Sequence, residues 1–309
     1  MHVESLLSIT GIFALVLVLL RLYKFFQLAF SAGNLPRYLH NGSYAFVTGS
    51  TDGIGKELAF GLAERGFNVI LHGRSPTKLE AVKKELQARF PDTKLETVLA
   101  DARTADPAEV ADRIAHLPVS VLINNAAVGL FGGEPRFLNM ASQEQVEMMM
   151  STNVTFPTLL MRAMIPRLVQ PALIVNTSSL ASEFSPCKLV FYGSTKVFLN
   201  TITAGVRREL ARQGIDITVQ TLQVGVVTTA SSVAITHARP GRLTPSPSDF
   251  ARSVLDRIGG KQALVMGWPW HVLLYIAAAS LPTWALEGRY SGKDDKSEDV
   301  AGQAKAKAH

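Results

Sequence analysis

The first part of the chain is an apolar segment that is long enough to cross a membrane. Residues 6–20, "LLSITGIFALVLVLL", carry no charge, and the apolar run continues to Phe30, giving 25 residues from Leu6. About 20 apolar residues span a hydrocarbon core. A cleaved signal peptide usually has its cations before the apolar run, whereas Arg21 and Lys24 come late in this one. We therefore predict a membrane anchor over residues 1–30, with everything after Arg21 in the cytosol by the positive-inside rule.

Beyond the anchor, apolar strand patterns alternate with amphipathic helix patterns. A strand over Tyr44–Thr48 is followed by a glycine-rich turn and a helix that starts near Lys56 and ends at Gly66. The next strand, Asn68–Gly73, leads into a helix over Ser75–Phe90 that has a serine N-cap and proline at its first position. Further strands are predicted at 94–100, 119–127, 172–176 and 215–224, and further helices at 106–117, from about 142, and around residue 192. This alternation predicts an α/β fold, a single Rossmann-like doubly wound parallel sheet over residues 43–260.

A second apolar stretch occupies residues 261–290. Its cleanest run, His271–Leu281, is too short to span a bilayer, and tryptophans at 268, 270 and 284 are typical of a membrane interface. Three interpretations stay open: a monotopic membrane contact, the wall of an acyl tunnel, or a buried C-terminal helix. Residues 291–309 are polar and predicted to be disordered. They end in "KAKAH", which matches a dilysine-type retrieval signal of the endoplasmic reticulum.

Composition excludes several classes of protein. The chain has 309 residues, of which 47% are hydrophobic, so it can build one large α/β domain with attachments. A net charge of +6 suits anionic ligands or an anionic membrane surface. No basic run is interleaved with aromatic residues, which argues against nucleic acid as a partner. The single cysteine, Cys187, excludes an internal disulfide and a cysteine-built metal site, and we predict no metal.

The glycine-rich turn is the first candidate for chemistry. The stretch "VTGSTDGIGKELA" places Gly49, Gly53 and Gly55 between the first predicted strand and the first helix. Glycines let the backbone turn tightly and approach a pyrophosphate, which rests on the helix N-terminus. The spacing is TGxxxGxG and differs from the more common GxGxxG. Its position at the start of a βα series makes it a strong signal for a dinucleotide.

The end of the second strand indicates which dinucleotide binds. An NAD enzyme usually has an acidic residue there for the ribose 2′-hydroxyl, but none occurs between Glu64 and Glu80. Instead Arg74, with Ser75 beside it, stands where a 2′-phosphate would lie, and the arginine fork matches phosphate oxygens. We therefore predict NADP(H), the alternative being that Arg74 is a solvated surface residue.

Together these residues resemble a known family, the short-chain dehydrogenases/reductases. The resemblance covers about residues 43–260 and rests on five motifs: Thr48–Gly55 "TGSTDGIG", Asn124–Ala127 "NNAA", Asn153, Ser179, and Tyr192–Lys196 "YGSTK". The motif "TDGIGK" and the predicted N-terminal anchor resemble those of one membrane-bound branch of the family. That branch contains very-long-chain 3-oxoacyl-CoA reductases and 17β-hydroxysteroid dehydrogenases. The sequence departs from the family at Ala127, where glycine is usual, and at Val224–Gly225, where proline–glycine is usual. We expect altered cofactor affinity from these departures, without loss of function.

The resemblance implies a catalytic set of Asn153, Ser179, Tyr192 and Lys196. Tyr192 would give a proton to a carbonyl oxygen as hydride arrives from NADPH. Lys196, one helical turn later on the same face, would lower the pKa of that tyrosine and bind the nicotinamide ribose. Ser179 would hydrogen-bond the carbonyl oxygen, and Asn153 would position a water near Lys196.

The resemblance also implies the cofactor contacts. They are Thr48, Gly49, Ser50, Thr51, Gly53, Ile54, Gly55, Arg74, Ser75, Asp101, Asn125, Ala126, Tyr192, Lys196, Val227 and Thr229. Asp101 would meet the adenine ring, or else cap a loop. The segment Ala230–Asp249 would form the substrate lid, and its cations would either meet an acyl-CoA phosphate or be solvated.

The predicted function is reduction of a long-chain 3-oxoacyl-CoA by NADPH, at the cytosolic face of the endoplasmic reticulum membrane. A steroid or another lipophilic ketone is the alternative substrate. A different class of protein, an NADPH-binding pseudoenzyme or sensor, is disfavoured because the four catalytic positions are all present. The expected partners are therefore an acyl-CoA or a steroid, membrane lipid, and either a second copy of the chain or an elongase-type complex.

Overall fold

A seven-stranded parallel sheet forms the centre of the protein. The structure is a computed structural model that describes residues 2–129, 137–236 and 238–280. The strands are β1 (Tyr44–Val47), β2 (Asn68–Gly73), β3 (Leu95–Leu99), β4 (Val119–Asn124), β5 (Ala172–Thr177), β6 (Ile217–Gln223) and β7 (Leu264–Met266). Their spatial order is β3-β2-β1-β4-β5-β6-β7, and each neighbouring pair is parallel. The predicted doubly wound fold is confirmed, with the strand order reversing between β1 and β4.

Apart from the N-terminal helix, the α-helices of the described residues lie on the two faces of this sheet. The helices are α1 (His2–Phe30), α2 (Gly53–Glu64), α3 (Pro76–Arg89), α4 (Pro107–Arg113), α5 (Gln143–Met150), α6 (Phe156–Met164), α7 (Ala181–Phe184), α8 (Val190–Arg212), α9 (Ala230–Thr236), α10 (Pro247–Leu255) and α11 (Pro269–Ser280). Ser75 caps α3 as predicted, since its side chain accepts from the backbone N–H of Lys78. Helix α2 starts at Gly53, three residues before the predicted Lys56, because the Asp52 side chain accepts from the Gly53 N–H and caps the helix there.

The core has two layers, one on each face of the sheet. Every residue of β1, β4 and β5 is buried, which is why these strands are mostly apolar. Alternate side chains of β1 point to opposite faces. Val47 joins the cluster that contains Phe250 of α10, and Phe46 joins the cluster that contains Phe156 and Leu160 of α6.

Helix α1 projects from this core. Its stretch Thr10–Phe30 is long and apolar enough to cross a membrane, by length and composition, and only 12% of it is buried. The last turn of α1 packs against α11, where Leu28 and Ala29 contact the cluster around Val272 and Tyr275. Continuing past α1, the Gly33 N–H donates to the carbonyl of Asp256 over 2.9 Å. Helix α1 is therefore joined directly to the domain.

Elements outside residues 43–260 also pack with the sheet. The 3₁₀ turn Leu35–Tyr38 belongs to the core, and the fully buried Tyr38 donates to Thr218 over 2.8 Å. Strand β7 pairs with β6. Both elements are too short for a periodic pattern to identify. The expectations for residues 281–309, including Trp284, the disordered tail and "KAKAH", lie outside the described residues.

Candidate active site

A cleft of about 650 Å³ opens at the carboxyl ends of four strands. It lies where the strand order reverses, the usual binding position in an open α/β sheet. The lining residues follow β1 (Gly49, Thr51, Asp52, Gly53, Ile54, Gly55), β2 (Arg74, Ser75, Lys78), β3 (Ala100, Asp101, Ala102, Arg103) and β4 (Asn125, Ala126, Ala127, Val128), with Thr229 and its neighbours closing one side. Most of the predicted cofactor contacts therefore line a single cleft.

The glycine-rich turn is held against the loop after β4. Thr48 Oγ1 accepts from the backbone N–H groups of Asn125 and Ala126, over 2.9 and 3.0 Å. The Asn125 side-chain amide donates in return to the carbonyls of Thr48 and Gly49, over 3.1 and 3.3 Å. This exchange fixes the floor of the cleft in one arrangement, with the N-terminus of α2 opening onto it.

Glycine is required at two positions of this turn for different reasons. Gly49 has φ of +66°, in the left-handed region that favours glycine. A Cβ on Gly55 would lie 2.2 Å from the Gly49 carbonyl oxygen and 2.4 Å from the Asn125 amide nitrogen, so no larger residue fits. Glycine therefore lets the start of α2 pack closely under the turn, and the N-terminus of that helix is suited to a pyrophosphate.

Cations surround the far end of the cleft. Arg74 is exposed there, and Lys78 and Arg103 also line the cleft. Asp101 accepts from the Arg103 side chain over 2.5 Å and from its backbone N–H over 3.1 Å, which is the loop-cap geometry considered for it. The hydrogen bond from Arg103 holds the pKa of Asp101 below its usual value. Sequence reasoning missed Lys78 and Arg103, although each stands within four residues of a predicted contact.

Three polar groups converge between the end of β5 and helix α8. Tyr192 and Lys196 lie one turn apart on α8, and the Lys196 Nζ atom is 5.6 Å from the centre of the Tyr192 ring. The Tyr192 hydroxyl is hydrogen-bonded to Ser179, which follows β5. Lys196 Nζ donates to the carbonyl of Thr177 over 2.9 Å. The predicted serine, tyrosine and lysine therefore form one cluster.

Asn153 reaches this cluster from a distorted helix. Residues Ser151–Thr155 form a π-helical turn between α5 and α6. Pro157 lacks the N–H that an α-helix would donate to the Asn153 carbonyl, so the regular pattern is interrupted there. The Asn153 side chain exchanges hydrogen bonds of 2.8 Å with the backbone of Val128 and donates to Thr195 over 3.2 Å. It thus connects the cleft wall to the residue preceding Lys196.

The electrostatics of the cluster differ from the expectation in one respect. We expected Lys196 to lower the pKa of Tyr192, but burial raises that pKa, and the hydrogen bond with Ser179 offsets only part of the rise. Burial sets the net direction, while the ammonium of Lys196 binds the Thr177 carbonyl and lies over the ring, where its charge favours a phenolate. Burial also lowers the pKa of Lys196 to about 8.

Two of the predicted cofactor contacts lie beneath the cleft. Ser50 is fully buried and its hydroxyl accepts from the His72 N–H over 2.9 Å, joining β1 to β2. Val227 is 3% exposed and packs in the core. Among the described residues, no group of three metal-ligating side chains is placed to hold a metal ion.

Comparison with known proteins places these features in a family. The sequence model of the short chain dehydrogenase family matches residues 43–240. The chain is 36% identical over 224 residues to the very-long-chain 3-oxoacyl-CoA reductase of Caenorhabditis elegans, covering 70% of this chain and 69% of that one. It is 30% identical to very-long-chain 3-oxoacyl-CoA reductase-B of Danio rerio, over 84% and 82% of the two chains. A short-chain dehydrogenase from Sphingobium yanoikuyae, solved with NADPH, aligns with a TM-score of 0.65 and 26% identity, over 82% and 96% of the two chains.

Proposed function

Because this chain belongs to the short chain dehydrogenase family, we propose that it is an NADPH-dependent ketoreductase that converts a long-chain 3-oxoacyl-CoA to the 3-hydroxyacyl-CoA. The observation that carries the activity is the cluster of Ser179, Tyr192 and Lys196, which Asn153 connects to the wall of the glycine-lined cleft. The substrate class is supported by relatives that are named very-long-chain 3-oxoacyl-CoA reductases and are 30–36% identical.

The cleft fits NADPH better than NADH. The glycines at 49 and 55 let the turn pack closely against the loop after β4, and the N-terminus of α2 that follows is suited to a pyrophosphate. At the opposite end the exposed Arg74 supplies positive charge for a 2′-phosphate, whereas Lys78 is ion-paired with Asp52 over 3.1 Å. Asp101, the acidic residue in this part of the cleft, is engaged by Arg103. The cofactor supplies hydride to the carbonyl carbon of the substrate.

The side chains of the cluster would handle the proton and the developing negative charge. Tyr192, kept neutral by its raised pKa, donates its hydroxyl proton to the carbonyl oxygen. Ser179 holds the same oxygen by a hydrogen bond, which stabilises the charge that forms there. The ammonium of Lys196 stabilises the phenolate left on Tyr192. Asn153, through its contacts with Val128 and Thr195, keeps the helix and the cleft wall in register and positions a water for reprotonation.

The proposed site of action is the cytosolic face of the endoplasmic reticulum membrane. Helix α1 supplies a span of suitable length with exposed apolar side chains, and the cations Arg21 and Lys24 lie at its end nearer the domain. A long acyl chain partitions into the same membrane, so anchoring would bring enzyme and substrate together.

The test is a turnover assay on the full-length protein in microsomes or detergent. Absorbance at 340 nm is followed with NADPH or NADH, and with a long-chain 3-oxoacyl-CoA or a 17-ketosteroid. We expect fast oxidation of NADPH with the acyl-CoA alone. Oxidation with the steroid alone would overturn the proposed substrate, and binding of NADPH without turnover of either would favour a sensor.

A variant pair tests the proposed role of the tyrosine. Tyr192→Phe should abolish turnover and leave NADPH binding nearly unchanged, because only the proton donor is lost. Tyr23→Phe is the matched control, since Tyr23 is 66% exposed on α1 and lies outside the cleft. Turnover of Tyr192→Phe at the wild-type rate would refute the mechanism.

A further inference from the structure

The segment after α9 is hydrogen-bonded to residues at the start of α11 and just before it. The indole N–H of Trp268 donates to the Arg242 carbonyl over 2.7 Å. The Nε2 atom of His271 lies 3.2 Å from the Leu243 carbonyl oxygen. In addition, the Arg242 guanidinium lies over the Trp270 ring, 5.8 Å from its centre. Residues 238–246, called the lid segment below, are thus held by three side chains of one short stretch.

His271 makes a second contact that leads toward the cofactor cleft. Its Nδ1 atom accepts from the backbone N–H of Gly225 over 3.2 Å. One neutral tautomer satisfies both contacts, because Nδ1 accepts while the Nε2 proton goes to Leu243. The imidazole is fully buried, and burial lowers its pKa, so the neutral form is favoured.

The contact also explains why residue 225 is glycine. A Cβ on Gly225 would lie 2.8 Å from atoms of the His271 ring, so a larger residue would displace the imidazole. From Gly225 the chain runs directly to Thr228, whose backbone N–H and hydroxyl both donate to the Pro245 carbonyl, over 3.0 and 3.1 Å. The loop after β6 and the lid segment are therefore tied to each other as well as to His271.

The remaining contacts of α11 involve the anchor and the catalytic loop. Val272 and Tyr275 pack with Leu28 and Ala29 of α1, and Leu180 belongs to the same cluster. Leu180 is the residue after Ser179 and is 7% exposed. Helix α11 thus lies between the anchor, the loop that carries the catalytic serine, and the lid segment.

We propose that His271 is a positioning residue that docks the lid segment and the loop after β6 onto α11, the helix packed against the anchor. One nitrogen sets the position of the lid over the acyl substrate, and the other sets the loop that reaches the nicotinamide side of the cleft. The kinetic part of this inference rests on the proposed function, because it assigns the lid to the acyl-CoA. The docking itself is independent of the substrate.

Two substitutions of His271 test its hydrogen bonds to Gly225 and Leu243 separately. The amide oxygen of asparagine lies near the position of Nδ1, so His271→Asn keeps an acceptor for Gly225 and loses the bond to Leu243. The longer glutamine places its amide near Nε2, so His271→Gln keeps the donor to Leu243 and loses the acceptor for Gly225. Each lost bond is expected to change one constant about three- to tenfold. His271→Asn should raise KM for the acyl-CoA, and His271→Gln should raise the Kd of NADPH.

Further variants control for general destabilisation. Trp268→Phe removes the N–H that holds the Arg242 carbonyl and leaves His271 in place, so it should raise KM for the acyl-CoA without changing NADPH binding. His116→Asn and His116→Gln are matched controls at an exposed histidine and should change neither constant. If both His271 variants impair both constants equally, His271 is merely structural and the proposal is overturned.

Hydrogen exchange gives a readout that does not depend on turnover. In the full-length protein, His271→Asn should speed exchange in residues 238–246, and His271→Gln should speed it around Gly225. Unchanged exchange in both regions would overturn the docking. If the exchange pattern is as expected but the wild type does not reduce a 3-oxoacyl-CoA, the docking stands and the proposed function fails.

Discussion

The titration of Lys196 offers a direct test of the catalytic cluster. Its side chain is 2% exposed, and burial lowers its pKa from the ordinary 10.5 to about 8. The ammonium group has one hydrogen bond to stabilise it, to the Thr177 carbonyl, in addition to its position over the Tyr192 ring. In the free enzyme we therefore expect half of the Lys196 side chains to be neutral near pH 8.

The size of the effect on stability follows from this shift. A fall of the Lys196 pKa from 10.5 to about 8 means that the charged lysine destabilises the folded protein by about 3 kcal/mol. Because the folded pKa is the lower one, the unfolded chain binds more protons between pH 8 and 10.5, and stability rises with pH in that window. The raised pKa of Tyr192 acts in the opposite direction above pH 10, so measurements should stop at pH 9.5. Within that limit the expected gain is about 2 kcal/mol.

The assay compares urea unfolding of the wild type with Lys196→Met between pH 7 and 9.5. The methionine variant lacks the titrating group, so the wild type should gain about 2 kcal/mol relative to it as the pH rises. Lys261→Met, at an exposed lysine, is the control and should run parallel to the wild type.

Whereas stability should rise with pH, the catalytic rate should fall. Loss of the ammonium removes the charge that stabilises the phenolate, so kcat/KM for NADPH, which reports the free enzyme, should fall above pH 8 with a limiting slope of about tenfold per pH unit. A profile that stays flat to pH 9.5, together with equal stability changes in wild type and Lys196→Met, would refute the assignment of a buried, functional lysine.

Three other outcomes are expected. Arg74→Ala should weaken NADPH binding about tenfold and leave NADH binding unchanged by calorimetry, since only NADPH carries the 2′-phosphate; equal loss for both would contradict the assigned specificity. Burial lowers the pKa of His72 to about 4, so in denaturant unfolding the wild type should lose about 3 kcal/mol more than His72→Phe as pH falls from 6.5 to 4; equal losses in the two proteins would contradict this. Gly55→Ala should abolish NADPH binding in a thermal-shift assay, while Gly205→Ala, whose Cβ meets nothing within 4 Å, should bind normally.

The central strands and the catalytic set could be predicted because each leaves a local trace. Strands buried on both faces are mostly apolar, and the glycine turn stands between a strand and a helix. Ser179 precedes Tyr192 by 13 residues, and Lys196 follows it by four. These spacings are visible in the sequence because the end of one strand and one nearby helix carry all three residues.

The features that were missed depend on contacts between distant segments. Lys78 and Arg103 become part of the cleft only when the ends of β2 and β3 are placed side by side. The contact of Asn153 with Val128 joins residues 25 positions apart. Strand β7 has three residues and is recognisable only through its pairing with β6. No local pattern encodes these relations.

Helix α11 shows most clearly why three interpretations had to stay open. Its sequence is apolar on every side, so hydrophobicity alone cannot assign a face to the core. In the structure Val272 and Tyr275 are buried with α1, while Leu273 and Leu274 are 45% and 41% exposed. His271, between a tryptophan and a valine, has both nitrogens engaged by distant backbone groups. A histidine in an apolar helix could not be assigned these partners beforehand, because Gly225 and Leu243 come to the same place only after the sheet has formed. Gly225 keeps the glycine of the family's usual proline–glycine pair, whose proline is replaced here by Val224, and in the structure a Cβ on it would lie 2.8 Å from the His271 ring.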